Sequence, residues 1–142
     1  MKLYQFILIL GVLFLLPEAI LPAFSQQSWV RTFGFSGYEC GRSVVTTSDG
    51  AYIIAGTTSS IGRGANDIYL LKVNAQGDSI WQRAYGWNRD EEGWSVKQTT
   101  DQGFIIAGRT ESIGAGLMDV YLIKTDNTGN WLWQKTYGGR AN

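Results

Sequence analysis

The polar and apolar positions of this chain alternate in short stretches, and the stretches recur. Ser43 to Thr47 is a β-branched run, Tyr52 to Thr58 an apolar one, and Asp67 to Val73 alternates Tyr69 and Leu71 with Ile68 and Leu70. Ser79 to Tyr85 sets Trp81, Arg83 and Tyr85 against Ile80, Gln82 and Ala84. A period of two over five to seven residues predicts strands. The Tyr52 strand, apolar throughout, is expected to be buried on both faces as a central strand. In the fourth, the Arg83 stem is expected to lie along the Trp81 and Tyr85 rings. Turn chemistry separates the strands: Ser48-Asp49-Gly50, the Gly-containing loop from Ser59 to Asn66, and Asn74-Ala-Gln-Gly77. No segment after residue 26 carries a helical period.

The whole arrangement then repeats. Residues 29–80 lie over residues 81–132 without a gap, with 23 of 52 positions identical. Trp29, Trp81 and Trp133 mark the interval, as do Gly34, Gly86 and Gly138. Gly56 and Gly108 recur within the second strand, and Asp67 and Asp119 open the third. Residues 133–142 begin a third copy. A fixed period near 50, with four sequential strands in each, predicts an all-β fold of two four-stranded antiparallel propeller blades. A β-helix coil is shorter, and a sandwich does not repeat its sequence. Ser28 to Phe33 is out of phase, a fourth strand without its first three. Such a leading outer strand is what ring closure needs. Trp133 to Tyr137 completes the second blade.

Ahead of the repeats, Met1 to Ser25 reads as a cleaved signal peptide. Lys2 precedes an 11-residue apolar run from Phe6 to Leu16, Pro17 and Glu18 end it, and Ala23-Phe24-Ser25 offers small residues for cleavage before Gln26. The run is short of the roughly 20 residues a spanning helix needs. The expectation is a secreted or cell-surface protein with no membrane span after cleavage, whose residues 26–142 fold as repeats.

Composition removes much of the chemistry. With 12 basic and 12 acidic residues the formal net charge is zero, which disfavours nucleic acid as a partner. The absence of His excludes Ser-His-Asp catalysis and His-ligated zinc, so Ser43 and Ser95 have no base. The single Cys40 cannot form an internal disulfide; it is either buried or available for an intermolecular bond, and burial is the expectation. Gly, at 18 of 142, exceeds its usual share of about 7%.

The pattern W-Q-[RK]-x-[YF]-G, T-x-D-x-G-[YF]-I-I-A-G-x-T-x-S-I-G-x-G and D-[IV]-Y-L-[LI]-K resembles the secreted β-propeller repeats of Bacteroidota-type bacteria. The resemblance covers residues 28–142. It implies architecture and an extracellular place, and carries no catalytic motif. Members often end in a type IX secretion sorting domain, which this sequence does not contain. A propeller usually has 4–8 blades, whereas residues 26–142 hold a little over two repeats. The chain is therefore expected to be a fragment of a larger ring, a truncated frame, an open two-blade module, or a homo-oligomer if complete.

Candidate chemistry is sparse. Asp67 and Asp119 read either as calcium ligands or, more in keeping with their repetition, as carboxylates bonded to loop amides. Asp126 to Asn130 reads as a hairpin turn, lacking the ligand spacing of an EF-hand loop. Asp90-Glu91-Glu92 reads as a solvated loop, although Glu39 and Glu91 recur and are candidates to meet a neighbouring blade. Trp87 and Trp94 break the repeat, standing where Phe35 and Arg42 stand, and are the expected contacts for a ligand unless they pack between blades. The expected function is a scaffold binding protein or glycan, with no catalytic or cofactor residues. The alternative is a piece of a glycan-active extracellular enzyme whose catalytic residues lie in other blades.

Overall fold

The computed structural model describes residues 28–140 and, N-terminal to them, the backbone of two short strands, β1 (Phe6–Ile9) and β2 (Val12–Leu15), paired antiparallel. The export reading of residues 1–25 otherwise falls outside the described residues. The remainder is all-β. β3 (Glu39–Thr46), β4 (Tyr52–Thr58), β5 (Asp67–Val73) and β6 (Ser79–Tyr85) form the first sheet in that spatial order. β7 (Glu91–Gln98), β8 (Phe104–Thr110), β9 (Asp119–Thr125) and β10 (Trp131–Tyr137) form the second in the same way. Every pairing is antiparallel.

The identity of the repeats extends to their irregularities. The first pair of strands in each sheet is bulged, between Gly41 and Ser43 and between Gly93 and Ser95. A bulge crowds the partner strand, so Gly sits opposite it. A Cβ on Gly56 would fall 1.7 Å from the Cys40 carbonyl oxygen, and one on Gly108 1.8 Å from that of Glu92. The recurring glycines of the second strand are thus accounted for by backbone approach.

The two sheets stack face to face. Ile53, Ala55, Ile68 and Leu70 of the first meet Val96, Phe104, Ile106, Tyr121 and Ile123 of the second, all fully buried or nearly so, with Trp81 and Tyr85 packed against them. Inner strand β7 lies against β3, β4 and β5. Polar groups tie the same joint. The Val96 amide donates to Ser43 Oγ, the Ser48 amide to Gln98 Oε1 at 2.8 Å, and the Glu91 amide to the Asn66 carbonyl at 2.8 Å.

Three expectations are corrected. Ser28 to Phe33 is not a strand. The position beside β9 is filled by β10, and the segment lies instead across the outer face of the first sheet, where Phe33 packs on Tyr69, Leu71 and Val73. Cys40 is half-buried, lining an apolar cavity on that face. The burial of β4 on both faces is incomplete: on the face away from the second sheet Gly56 and Thr58 are buried, while Tyr52 and Ile54 are half-buried. Among the described residues no helix is long and apolar enough to cross a membrane, which says nothing of strands.

Candidate binding site

The loop from β6 to β7 crosses from one sheet to the next, and its geometry is built on buried carboxylates. Asp67, 1% exposed at the start of β5, turns Oδ2 onto the Arg63 and Gly64 amides at 2.9 and 3.1 Å. This folds the preceding loop around the side chain. Glu91, fully buried at the start of β7, accepts from Thr110 Oγ1 at 2.6 Å and from the Trp87 amide at 2.7 Å. A Cβ on Gly86 would lie 1.9 Å from Asp67 Oδ1 and 2.6 Å from Glu91 Oε2, so the two acids meet across a glycine. Burial pushes the Asp67 carboxyl above its ordinary value, against the pull of the two amides, and the charges of Glu91 and Asp90 push the same way.

The reading of Asp90-Glu91-Glu92 as a solvated loop is therefore overturned. Strand β7 begins at Glu91 rather than at Ser95, which brings Glu91 into the joint. Glu92 faces Arg109 at 2.8 Å and Arg42 at 3.3 Å, and the Arg109 bond holds its carboxyl below the ordinary value. Asp90 Oδ1 accepts from the Asn66 amide. Asp119 repeats the Asp67 setting, with its Oδ2 close to Gly114. Asp67 Oδ1 and Asp119 Oδ1 are buried without a hydrogen-bond partner. Among the described residues no group of three or more Cys, Asp and Glu side chains is placed to hold a metal ion. Asp126 caps its own turn, accepting from the Thr128 and Asn130 amides at 2.8 Å each.

Held by its amide bond to Glu91, Trp87 projects at the mouth of a pocket of about 350 Å³ between the sheets. Arg63 from the loop between β4 and β5, Tyr85, Tyr121, and Trp131 and Gln134 of β10 form its walls. Trp87 is 41% exposed and Trp131 54%, and Arg63 Cζ stands 5.9 Å from the Trp87 ring centre. The Tyr121 hydroxyl donates to Gln134 Oε1 at 2.6 Å, and burial pushes its pKa up to about 12, so it stays a neutral donor. The pocket thus offers two wet indole faces, a guanidinium and an amide. Trp94 does not line it. It stands at the β7 bulge, 48% exposed, with Nε1 donating to Glu92 Oε2 at 3.2 Å. A bulge turns a side chain out of the alternation, which is why Trp94 does not pack in the joint between sheets.

Of the repeated tryptophans, Trp81 lies in the joint, 6.0 Å from Phe104, with Arg83 at 5.6 Å over its ring as the strand pattern predicts. Trp29 and Trp133 hold the corresponding places toward the two ends, and Trp133 is 40% exposed. Trp131 and Gln134 were not singled out as site residues. Trp131 departs from the repeat, standing where Ser79 does, the same kind of signal that marked Trp87.

A second repeated pair escaped the sequence reading. Lys72 and Lys124, both 8% exposed, reach Asp49 at 2.6 Å and Asp101 at 2.9 Å in the first turn of each unit. Lys72, with Thr47, holds the Asp49 carboxyl at about 2, and Thr99, with Lys124, does so for Asp101. Both values lie below the ordinary 3.8, so the stabilisation is complete above pH 3.8 and fades as pH falls toward 2. Melting temperature measured from pH 5 to pH 2 is expected to drop across that window. In Asp49→Asn, Asp101→Asn double variants the slope there should flatten. An unchanged slope would remove these pairs from the acid response.

Comparison with known proteins gives no family: no protein-family model matches the chain, and no curated protein does.

Proposed function

We propose that the chain is a propeller-type repeat scaffold, exported by its N-terminal segment to the cell surface or medium, that binds glycan or protein and catalyses nothing itself. Two 52-residue units that fold to one meander and stack face to face support the propeller reading. The observation that carries the binding reading is the Trp87 pocket, where residues that break the repeat converge between sheets. Indole faces stack on the apolar face of a sugar ring or on a partner's side chain, and the Arg63 and Gln134 groups are matched to hydroxyls or carbonyls.

Trp87→Ala is expected to weaken retention on an immobilised oligosaccharide panel at least tenfold, since aromatic anchors of this kind are worth about 2 kcal/mol or more. Trp94→Ala, which lies outside the pocket, is expected to weaken it less. The fold should be unaffected by either. Equal retention by wild type and Trp87→Ala would take the pocket out of the function, and binding only to protein partners would select the second ligand class.

A further inference from the structure

The first sheet's outer face and the second sheet's outer face are the two halves of a joint this chain already makes once. Within the joint, Val96, Phe104, Ile106, Tyr121 and Ile123 are covered. Their counterparts one repeat earlier are Val44, Tyr52, Ile54, Tyr69 and Leu71. Of these Tyr69 and Leu71 are buried under Phe33 and Ile61, but Val44 is 61% exposed, Tyr52 and Ile54 are half-buried, and an apolar cavity of about 430 Å³ opens beside them. On the other side of the joint, Ile68 is fully buried, while its counterpart one repeat later, Val120, is 51% exposed. Trp133 and Tyr137, the counterparts of the joint residues Trp81 and Tyr85, stand beside it 40% and 54% exposed. One end of the molecule thus carries the receiving surface of the joint, and the other end the inserting surface.

The receiving end is partly occupied. Trp29 stands 6.3 Å from Tyr52, edge to face, as Trp81 stands 6.0 Å from Phe104 one repeat on. It also covers the Gly77 turn, as Trp81 covers the Gly129 turn. The segment around it has no strand pairing, and Val30 is 87% exposed. It fills one strand's share of the face and leaves the cavity.

We propose that the receiving face takes the inserting face of a second copy of this chain, whose β10 displaces residues 28–33 from the Gly77 turn. The joint is head-to-tail, so each copy keeps one free face of each kind, and assembly continues until a ring closes. The N-terminal segment acts as a replaceable cover that holds the free chain back from assembling. The new joint differs from the internal one at four positions of the inserting face, Lys97 for Val45, Arg109 for Thr57, Val120 for Ile68 and Lys135 for Arg83, which makes it the weaker of the two. The inference rests on the repeat-scaffold reading but not on the Trp87 pocket, so the two fail separately.

The test is sedimentation of the chain expressed from its full frame and purified as the cell delivers it, over a range of concentration. Wild type is expected to associate reversibly. Trp29→Ala, which loosens the cover, should associate about tenfold more tightly. Val44→Glu blocks the receiving face and Val120→Glu the inserting face; both positions are exposed on strands, and each variant should be monomeric with an unchanged melting curve. An equal mixture of the two should give a dimer and nothing larger, because one good pair of faces remains. A monomeric wild type together with a monomeric Trp29→Ala would overturn the proposal. So would association that survives Val120→Glu, or a mixture that stays monomeric.

Discussion

Phe104→Ala is expected to lower the free energy of unfolding by about 3–5 kcal/mol, near the upper range for large-to-small changes in a core. Phe104 is fully buried in the joint, tilted against Trp81 of the other sheet and packed among Ile53, Ile106 and Ile123. The cavity left behind would open between two sheets that pair by no backbone ladder. The natural control lies one repeat earlier. Tyr52 holds the same strand position on a face without a covering sheet, so Tyr52→Ala is expected to cost about 1–2 kcal/mol. Urea unfolding followed by Trp fluorescence would read both. Equal costs would mean that the joint adds nothing beyond what a single sheet provides.

Glu91→Ala should have the second largest effect, about 2–4 kcal/mol, and again the chain carries its own control. Glu91 accepts from Thr110 Oγ1 and the Trp87 amide in a site with no exposure, so truncation strands two donors away from water. Relief of the repulsion with Asp67 offsets part of this. Glu39 makes the equivalent bonds, from Thr58 Oγ1 at 3.0 Å and the Phe35 amide at 3.1 Å, but is only half-buried and faces an exposed Phe35, so water can reach the groups it leaves. Glu39→Ala should therefore cost at most about 1 kcal/mol. Thermal melts of the two variants at pH 7 give the comparison. If the two alanine variants melted together, burial at the joint would not be what makes Glu91 matter. Because Glu91 also holds the Trp87 amide, Glu91→Gln offers a way to disturb the pocket while keeping one acceptor.

How much of this was legible beforehand follows from what each feature depends on. β4, β5 and β6 were readable to the residue because Tyr52 to Thr58, Asp67 to Val73 and Ser79 to Tyr85 are bounded by turns with their own local chemistry. The starts of β3 and β7 were not. Glu39 and Glu91 carry no strand propensity, and what draws them into a strand is burial against Thr58 and Thr110 and the loop crossing Gly86. The Ser28 to Phe33 segment has the composition of a strand and the phase of one, but the place beside β9 is held by β10, a pairing that sequence phase does not reveal. Trp87 was marked by its break from the repeat. Trp131 and Gln134 joined it only through the stacking of sheets, a relation between residues more than 40 positions apart. The Lys72–Asp49 and Lys124–Asp101 pairs were visible as repeated positions, yet their contact spans 23 residues and depends on the register between β4 and β5.

The claim on which the rest depends is that the two repeats are one folded body joined through the faces of their sheets. Amide hydrogen exchange, compared between wild type and Phe104→Ala, tests it most directly. If the joint unites the sheets, the amides of β4 and β5 and those of β8 and β9 will exchange in one slow class, and Phe104→Ala will lower protection in both sheets by similar factors. Loss of protection confined to β8 and β9, with β4 and β5 unchanged, would mean two sheets that fold independently, and would contradict the account.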